Sequence, residues 1–245
     1  MNIQKQNEVL GFIPARGGSK GVPQKNIHTL GGHPLIQWSI ASAQQSTLVA
    51  RSVVSTDSKK IADVASQAGA HVDIRPNSLS SDSAIVEDVI IEFLTRLGKT
   101  EAIPEYMALI QPTSPFVTPL TMDTCLKALI SDPTADSVQS VTLVTHHNHA
   151  INQRIVEDGI ISFAFPHLRG DAKRKQDKQQ HYALGNFIAF RVENFLETGK
   201  VYGERSLVGD TVSCCEAIDI DSLDDFKLAE IYLKASAIPS APQLN

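Results

Sequence analysis

A short loop of glycines and cations, placed directly after an apolar run, constrains this chain more than any other stretch. Residues 9–13 are apolar and predict a buried strand. Hydrophobic periodicity then stops, and the chain continues as Pro14-Ala-Arg-Gly-Gly-Ser-Lys-Gly-Val-Pro-Gln-Lys-Asn26. Because Gly17, Gly18 and Gly21 carry no Cβ atom, backbone N–H groups can approach an anion there and positive φ angles are open. The loop therefore predicts an anion site at the end of the first strand.

Three cations lie in the same loop, and we assign them as candidate catalytic residues. Arg16 can donate two hydrogen bonds to one phosphate, whereas Lys20 and Lys25 act as mobile point charges. This chemistry suits a polyphosphate whose charge changes during a reaction. The alternative is an ordinary glycine-rich turn with solvated charges.

Two well-known phosphate loops do not match this spacing. The P-loop has four residues between its glycines and a Ser or Thr after its lysine, but here Gly21 follows Lys20. The dinucleotide fingerprint is Gly-x-Gly-x-x-Gly at the start of a helix, but here Pro23 and Pro34 postpone the helix. A phosphate-binding role for this loop would therefore use a different arrangement from these two, and an ordinary glycine-rich turn stays open.

Composition limits the class of protein. A chain of 245 residues with 42% hydrophobic residues suits one α/β domain spanning residues 1–245, with room for a small inserted lobe. A net charge of -5 argues against nucleic acid as a partner. Cysteines 125, 214 and 215 are too few and too unevenly spaced for a disulfide framework or a zinc site. With no apolar leader and no apolar run of about 20 residues, we expect a cytoplasmic protein without membrane contact.

Predicted strands and helices alternate along the chain. Strand-like runs lie at residues 50–56, 106–110 and 137–144, and helices are predicted to begin near Pro34, at Asp57 or Ser58, at Ser83 and at Thr118. The alternation predicts a three-layer α/β domain with a mainly parallel sheet between helices.

Polar residues follow three of the predicted strands. They are Arg16 to Lys20, Thr56-Asp57 and Gln111-Pro-Thr-Ser-Pro115. In parallel sheets, ligands bind outside the carboxyl ends of the strands, so these segments predict a common site. The two prolines of the third segment are also consistent with a simple rigid turn.

Two late aspartates predict a magnesium site. Asp219 and Asp221 are two apart at the end of a predicted strand, so their carboxylates share a face. Mg²⁺ prefers one or two carboxylates together with phosphate oxygens and water. The alternative is that these acids cap the next helix, but the capping box of Ser222 and Asp225 explains neither of them.

The regular alternation of predicted strands and helices ends after residue 144, which predicts an inserted lobe over about residues 145–190. His146-His-Asn-His149 has the residue types of a metal cluster, but no carboxylate is near in sequence, so loop histidines beside a cleft are favoured. Residues 151–165 follow with the pattern of a hairpin whose turn is Asp158-Gly159.

Four segments together resemble one enzyme family. The loop Pro14 to Asn26, the segment Arg75-Pro-Asn-Ser-Leu-Ser-Ser-Asp82, the segment Gln111 to Pro115 and the late Asp219-Ile-Asp221 resemble signatures of the acylneuraminate cytidylyltransferases, the CMP-sialic acid synthetase family. The resemblance is strong up to Pro115 and again from residue 218 to 225. It is weaker between these parts.

This resemblance implies a Rossmann-like nucleotidyltransferase domain whose small lobe forms a homodimer. It also implies a CTP-dependent reaction: CMP is joined to the anomeric hydroxyl of a nine-carbon 2-keto sugar acid, and pyrophosphate leaves. A different sugar acid such as KDO, or a non-catalytic binding role, are the alternatives.

The family's site residues map onto this chain by motif. The implied nucleotide-binding residues are Ala15, Gly17, Gly18, Ser19, Asn26 and Arg75. The implied sugar-binding residues are Gln111, Arg174 and Gln176, and Mg²⁺ falls to Asp219 and Asp221.

Several positions depart from the family pattern, mainly in the half that recognises the sugar. Val86 replaces a serine, Val117 and Ala183 replace frequent arginines, Ala150 replaces a lysine, and Gly185-Asn186 replaces the usual Asn-Gly order. We interpret these departures as a shifted sugar substrate rather than lost activity.

Overall fold

A seven-stranded sheet forms the centre of the molecule. The computed structural model describes residues 8–19, 21–81, 84–169, 179–238 and 242–244. The strands in chain order are β1 (Val9–Pro14), β2 (Thr29–Leu30), β3 (His33–Pro34), β4 (Val49–Thr56), β5 (His71–Ile74), β6 (Tyr106–Ile110), β7 (Ser137–Leu143), β8 (Arg154–Glu157), β9 (Ile160–Phe163), β10 (Tyr182–Arg191) and β11 (Ser206–Val212). The central sheet has the order β11-β7-β10-β6-β1-β4-β5.

Helices connect these strands. They are α1 (Leu35–Gln45), α2 (Lys59–Gln67), α3 (Val86–Leu97), α4 (Pro119–Ser131), α5 (Val192–Thr198) and α6 (Leu223–Lys234). In the central sheet, β10 runs antiparallel to its neighbours β6 and β7, and the other strand pairs are parallel. The prediction of a mainly parallel α/β sheet is therefore confirmed.

The sheet is covered on both faces, because alternate side chains of its buried strands point in opposite directions. In β1, Val9 and Ile13 pack with α1, α2 and α4, whereas Leu10 and Phe12 pack with α3 and α5. The result is the three-layer arrangement that the alternation of strands and helices predicted.

Helix starts follow local capping chemistry where it is present. The Thr118 hydroxyl accepts a hydrogen bond from the Thr121 N–H at 3.1 Å, and Pro119 occupies the first position of α4. At α6, Ser222 and Asp225 form the predicted capping box.

The predicted starts of α1 and α3 are wrong, whereas that of α2 is correct. α3 begins at Val86 rather than at Ser83, because Ile85 is still extended at the N-cap position, and Ser83 lies outside the described residues. Pro34 precedes the first turn of α1 instead of occupying it. At α2 the predicted start is correct, because Ser58, one of the two predicted caps, occupies the N-cap position, although its side chain makes no capping hydrogen bond. Asp57 does not cap this helix, and its carboxylate accepts a hydrogen bond from the glycine loop.

The predicted hairpin forms a separate two-stranded sheet of β8 and β9. Its turn residues Asp158 and Gly159 have φ angles of 50° and 77°, as a tight hairpin turn requires. The predicted lobe of residues 145–190 needs a correction at its C-terminal end. β10 belongs to the central sheet, and its side chains Ile188 and Phe190 are buried in the main core.

Candidate active site

The glycine loop is fastened to the connection between β4 and α2. Ala15, which is buried, donates its N–H to the Ser55 carbonyl oxygen at 2.9 Å, and the Gly17 N–H donates to Oδ1 of Asp57 at 2.8 Å. These contacts place the loop at the carboxyl ends of β1 and β4, the edge where ligands bind in such sheets.

Close packing, rather than a left-handed backbone, explains Gly17. A Cβ atom on Gly17 would lie 2.9 Å from Cβ of Ser58, whereas one on Gly18 would meet nothing within 4 Å. Neither glycine has a positive φ angle, so the expectation that this loop exploits that freedom is wrong for both. Gly18 is exposed, and its open surroundings leave its backbone accessible to a ligand.

Asn26 holds the loop from inside. Its side chain is buried, and Nδ2 donates to the Arg16 carbonyl oxygen at 2.9 Å. The Arg16 side chain extends to the opposite wall, where Nη1 lies 3.4 Å from the Ser81 carbonyl oxygen. Arg16 thus spans from the loop to the segment that precedes α3.

The glycine loop (residues 14–26) and an acidic segment (residues 217–221) are in direct contact. Lys25 Nζ donates to the Ile220 carbonyl oxygen and to Oδ1 of Asp221, each at 2.8 Å. A Cβ atom on Gly21 would lie only 2.3 Å from the Asp221 carbonyl oxygen. Val22 and Ile220 belong to the same buried apolar cluster, so packing and hydrogen bonds both join the two segments. The two segments therefore lie side by side in the fold although they are far apart along the chain.

The acidic segment itself is extended but is not a strand, which corrects the sequence prediction. β11 ends at Val212, a turn follows at residues 214–217, and the Ile220 N–H donates to the Thr113 carbonyl oxygen at 2.8 Å. Side chains still alternate, since Ile220 is buried while Asp219 and Asp221 are exposed. The two carboxylates therefore share a face, as expected.

The surroundings of Asp219 shift the pKa of its carboxyl upward. Lost hydration around the carboxyl raises the pKa of Asp219, and the negative charge of Asp221 raises it further. A hydrogen bond from Thr113 and the charge of Lys25 act in the opposite direction. A carboxylate held in this way gains from a nearby cation, which would stabilise its ionised form.

Arg75 is a buried cation on the wall of the site. The backbone N–H of Arg75 donates to the Thr56 carbonyl oxygen at 3.0 Å, and 6% of the residue is exposed. Burial lowers the pKa of its guanidinium, and the charges of Asp57 and Asp73 oppose that shift. Within the described residues, Nε of Arg75 has no hydrogen-bond partner. A buried guanidinium with an unused donor fits a polar ligand in this place.

An open cleft of about 450 Å³ joins these groups. Its volume suits a small-molecule ligand. The predicted site residues that line it are Arg16, Ser19, Lys25, Asn26, Arg75, Gln111 and Asp221. The predicted residues that do not line it are Ala15, Gly17, Gly18 and Asp219. Lys20, Arg174 and Gln176 lie outside the described residues.

The sequence prediction missed an apolar wall. Leu79, Val86 and Val89 line the cleft beside Arg75. Val86 and Val89 are three residues apart in the first turn of α3 and so lie on one helix face. That spacing, directly after the Arg75 segment, was the signal available in the sequence, where Val86 was noted only as a departure.

Two other departures are explained by the fold. Val117 is buried in the core, and its carbonyl oxygen accepts a hydrogen bond from the Ser42 hydroxyl. Ala183 lies exposed on β10. Neither residue lines the cleft.

Within the stretch from His146 to His149, His149 contacts a histidine from another part of the chain. His149 is buried, stacks on His181 with 4.0 Å between ring centroids, and its Nε2 lies 2.9 Å from the Gln179 carbonyl oxygen. The part of the chain that the structure describes contains no group of three or more His, Cys, Asp or Glu side chains arranged to hold a metal.

A mainly parallel sheet with a basic glycine loop and a cleft at its strand ends defines an α/β nucleotide-binding protein. The family described as Cytidylyltransferase matches residues 10–238, and the chain belongs to this family. The predicted likeness to acylneuraminate cytidylyltransferases is confirmed by relatives of that type.

Three relatives show the extent of the similarity. The chain is 34% identical to the CMP-N,N'-diacetyllegionaminic acid synthase of Legionella pneumophila, over 91% of this chain and 94% of that protein. It is 32% identical to N-acylneuraminate cytidylyltransferase A of Danio rerio and 29% identical to the N-acylneuraminate cytidylyltransferase of Escherichia coli. The matches cover 93% and 91% of this chain, and 51% and 52% of those two proteins. The chain therefore spans about half the length of these two relatives.

Solved structures share the fold. A CMP:2-keto-3-deoxy-manno-octonic acid synthetase complexed with CTP superposes with a TM-score of 0.67 at 18% identity, over 94% of this chain and 99% of that chain. A 4-diphosphocytidyl-2C-methyl-D-erythritol synthase superposes with a TM-score of 0.66 at 11% identity, over 94% of this chain and 100% of that chain.

In the described part of this chain, no helix combines the length and the apolar character that crossing a bilayer requires.

Proposed function

We propose that this chain transfers CMP from CTP to the anomeric hydroxyl of a nonulosonic, sialic-acid-like 2-keto sugar acid and releases pyrophosphate. The observation that carries this proposal is the contact of Lys25 with Asp221 on the wall of one cleft. The contact places a lysine suited to binding phosphate beside the acidic segment. The match to the legionaminic acid synthase along nearly the full length of both chains supports this class of sugar acid.

The reaction needs positioning more than covalent chemistry. The anomeric hydroxyl oxygen attacks the α-phosphorus of CTP in line, and its proton passes to solvent water. The bond from that phosphorus to the bridging oxygen breaks, and the electron pair leaves with pyrophosphate. No covalent nucleophile takes part, so catalysis comes from orientation and from stabilising charge that develops in the transition state.

The cations of the loop would hold the triphosphate. Arg16 and Lys25 line the cleft from the glycine loop, and we assign Lys20 to the same role. Ser19 and the accessible backbone of Gly18 would add neutral donors. Together these groups would stabilise the negative charge that accumulates on the leaving pyrophosphate.

The opposite wall would hold the nucleoside. The guanidinium of Arg75 can donate to a carbonyl oxygen of the base, and Val86 and Val89 offer an apolar surface to a ring. Gln111 follows β6, and its backbone carbonyl oxygen accepts a hydrogen bond from the Ser39 hydroxyl at 3.2 Å. Its side chain would orient the sugar acid. By motif alone, Arg174 is assigned to the sugar carboxylate and Gln176 to sugar binding.

Asp219 and Asp221 fit magnesium by their chemistry. They supply two carboxylates on one exposed face, next to the cleft, and phosphate oxygens and water would provide the remaining ligands. A magnesium ion held there would neutralise triphosphate charge and lower the pKa of the sugar hydroxyl. Lys25 would keep Asp221 oriented toward that position.

Pyrophosphate release tests the proposal directly. CTP, UTP, ATP and GTP are each supplied with a panel of nonulosonic acids and with KDO. We expect release with CTP and a nonulosonic acid. Release with KDO alone would favour the alternative in which the substrate is a different sugar acid such as KDO. CTP binding without release for any sugar acid would identify a non-catalytic relative.

We also propose that the chain forms a homodimer in the cytoplasm. The β8–β9 hairpin exposes Val156 and Ile161, which pair across its two strands and are 67% and 65% exposed, and it exposes Ile160 (73%) on its other face. Exposed apolar side chains of this kind favour an interface. The free cysteines favour a reducing compartment. Light scattering should give the mass of two chains, and Ile160→Asp with Ile161→Asp should give one chain. A monomeric wild-type protein would reject the dimer.

A further inference from the structure

The Gly185-Asn186 pair interrupts β10 and contacts the acidic segment. We propose that Asn186 is a positioning residue that holds residues 217–221 in the geometry that binds a divalent cation. This inference rests on the proposed function, because it deepens the role assigned to Asp219 and Asp221. Asn186 does not line the cleft, so it acts through the segment that it holds.

The backbone at this place is a bulge that an asparagine can adopt. The register between β10 and β7 shifts between Leu184 and Ile188, and Asn186 has a φ angle of 71°. Asparagine tolerates this left-handed conformation better than most residues with a side chain. A bulge of this kind redirects a side chain away from the regular pleat, and such bulges occur next to active sites.

The side chain of Asn186 uses its amide nitrogen on the acidic segment. Nδ2 donates to the Ala217 carbonyl oxygen at 2.8 Å and to the Ile218 carbonyl oxygen at 3.1 Å. These two carbonyl groups immediately precede Asp219. One side chain therefore fixes the peptide units from which the first carboxylate projects.

Ser140 on β7 builds the other side of the bulge. A Cβ atom on Gly185 would lie 2.7 Å from Oγ of Ser140 and 2.9 Å from its carbonyl carbon. The same hydroxyl accepts a hydrogen bond from the Phe187 N–H at 3.2 Å. Glycine is thus required at position 185, because a side chain there would collide with β7.

The acidic segment depends on a few separate anchors because it belongs to no strand. Thr113 holds the Ile220 N–H, and Lys25 holds the Ile220 carbonyl oxygen. Asn186 supplies the anchor on the Asp219 side. Loss of this anchor would let Asp219 move relative to Asp221, and cation sites are sensitive to the groups that orient their ligands.

The test compares Asn186→Gly and Asn186→Asp with wild-type protein. Glycine keeps the left-handed backbone and removes both donated hydrogen bonds, while aspartate keeps the shape and replaces the donor by an acceptor. Ser236→Gly is the matched control, because Ser236 is exposed, has a φ angle of 50° and lies after α6. Melting temperatures verify that each variant is folded.

The main readout is Mn²⁺ binding with CTP present, followed by electron paramagnetic resonance, which requires no turnover. We expect both Asn186 variants to bind Mn²⁺ about 10-fold more weakly, the usual scale for losing a group that orients a metal ligand. In turnover assays, kcat should fall about 10-fold while the KM for CTP changes by less than about 2-fold. Ser236→Gly should match wild type in each measurement.

The outcomes separate this inference from the proposed function. Folded Asn186 variants that bind Mn²⁺ like wild type would overturn the positioning role, as would wild-type protein that binds no Mn²⁺ with CTP. Wild-type protein that binds Mn²⁺ with CTP but releases no pyrophosphate would reject the proposed reaction. In that case the binding comparison would still decide the role of Asn186.

Discussion

Lys25 Nζ and Asp221 Oδ1 lie 2.8 Å apart although 196 positions separate the two residues along the chain. The side chain of Lys25 is 14% exposed, whereas that of Asp221 is 77% exposed. The ammonium group is therefore fixed in place, while the carboxylate keeps most of its surface free. This asymmetry suits a site in which the lysine orients the acid and the acid remains available to a ligand.

Replacing Lys25 by methionine should lower turnover about 100-fold, the scale of losing one group that stabilises transition-state charge. The variant keeps the length of the side chain but removes both donated hydrogen bonds to residues 220 and 221. Pyrophosphate release at saturating CTP measures the effect. Lys227→Met is the control, since Lys227 pairs with Asp224 on the surface. Turnover near that of wild type would remove Lys25 from the mechanism.

Asp221→Asn should raise the magnesium concentration needed for half-maximal activity about 10-fold, because an amide is a weaker and uncharged ligand. A magnesium titration at fixed CTP makes the measurement. Asp224→Asn alters an exposed acid on α6 and should leave the titration curve in place. If the Asp221 and Asp224 variants behave alike, the magnesium assignment is wrong.

Arg75→Lys should weaken the use of CTP although it preserves the positive charge. Lysine lacks the planar fork of the guanidinium and cannot donate from the position of Nε. We expect kcat/KM for CTP to fall about 10-fold or more, the equivalent of one hydrogen bond to a charged group. The ratio of kcat/KM for CTP to kcat/KM for UTP should fall as well. Arg205→Lys, at an exposed ion pair with Asp132, is the matched control.

Gly21→Ala should impair activity by steric displacement alone. The new methyl group would lie 2.3 Å from the Asp221 carbonyl oxygen, so the glycine loop and the acidic segment must separate. A drop in turnover of about 10-fold or more is expected, in line with the cost of misplaced catalytic groups. Gly18→Ala introduces a methyl group into open space and should leave the melting temperature unchanged. A fully active Gly21→Ala variant would contradict the contact.

Asp123 should make stability depend on pH below neutrality. Burial opposes ionisation of its carboxyl, but hydrogen bonds from Ser46, from both the hydroxyl and N–H of Thr47 and from the Leu48 N–H outweigh it and lower the pKa of Asp123. A lowered pKa means that the contribution to stability is present above the ordinary value near 3.9 and is lost as pH falls through the native value.

Asp123→Asn should therefore cost about 2 kcal/mol of unfolding free energy at pH 7, the scale of hydrogen bonds to a charged group. The difference from wild type should shrink as the pH falls through the lowered pKa, because the wild-type carboxyl also becomes neutral. Urea unfolding between pH 7 and pH 3 measures both quantities. A difference that stays constant over this range would argue against the ionised carboxylate as its source.

Local patterns predicted much of this fold because they report short-range physics. The apolar run at residues 9–13 became β1, and the Thr118-Pro119 and Ser222 to Asp225 patterns became helix starts. The prediction failed where a tertiary contact decided the outcome. Of the two residues predicted to cap α2, Asp57 binds the glycine loop and leaves the N-cap position to Ser58. The stretch before α6 pairs with Thr113 instead of forming a strand.

By itself, the sequence determined the chemistry of the site and the class of the fold, because residue types, spacing and hydrophobic period act locally. Only the tertiary structure decided why Gly17 and Gly21 are glycines, which apolar wall faces Arg75, and why Gly185 precedes Asn186. Each of these depends on atoms that are distant in sequence but within hydrogen-bond or van der Waals distance in the fold. A one-dimensional pattern does not contain such distances, because they arise from the packing of the whole sheet and its helices.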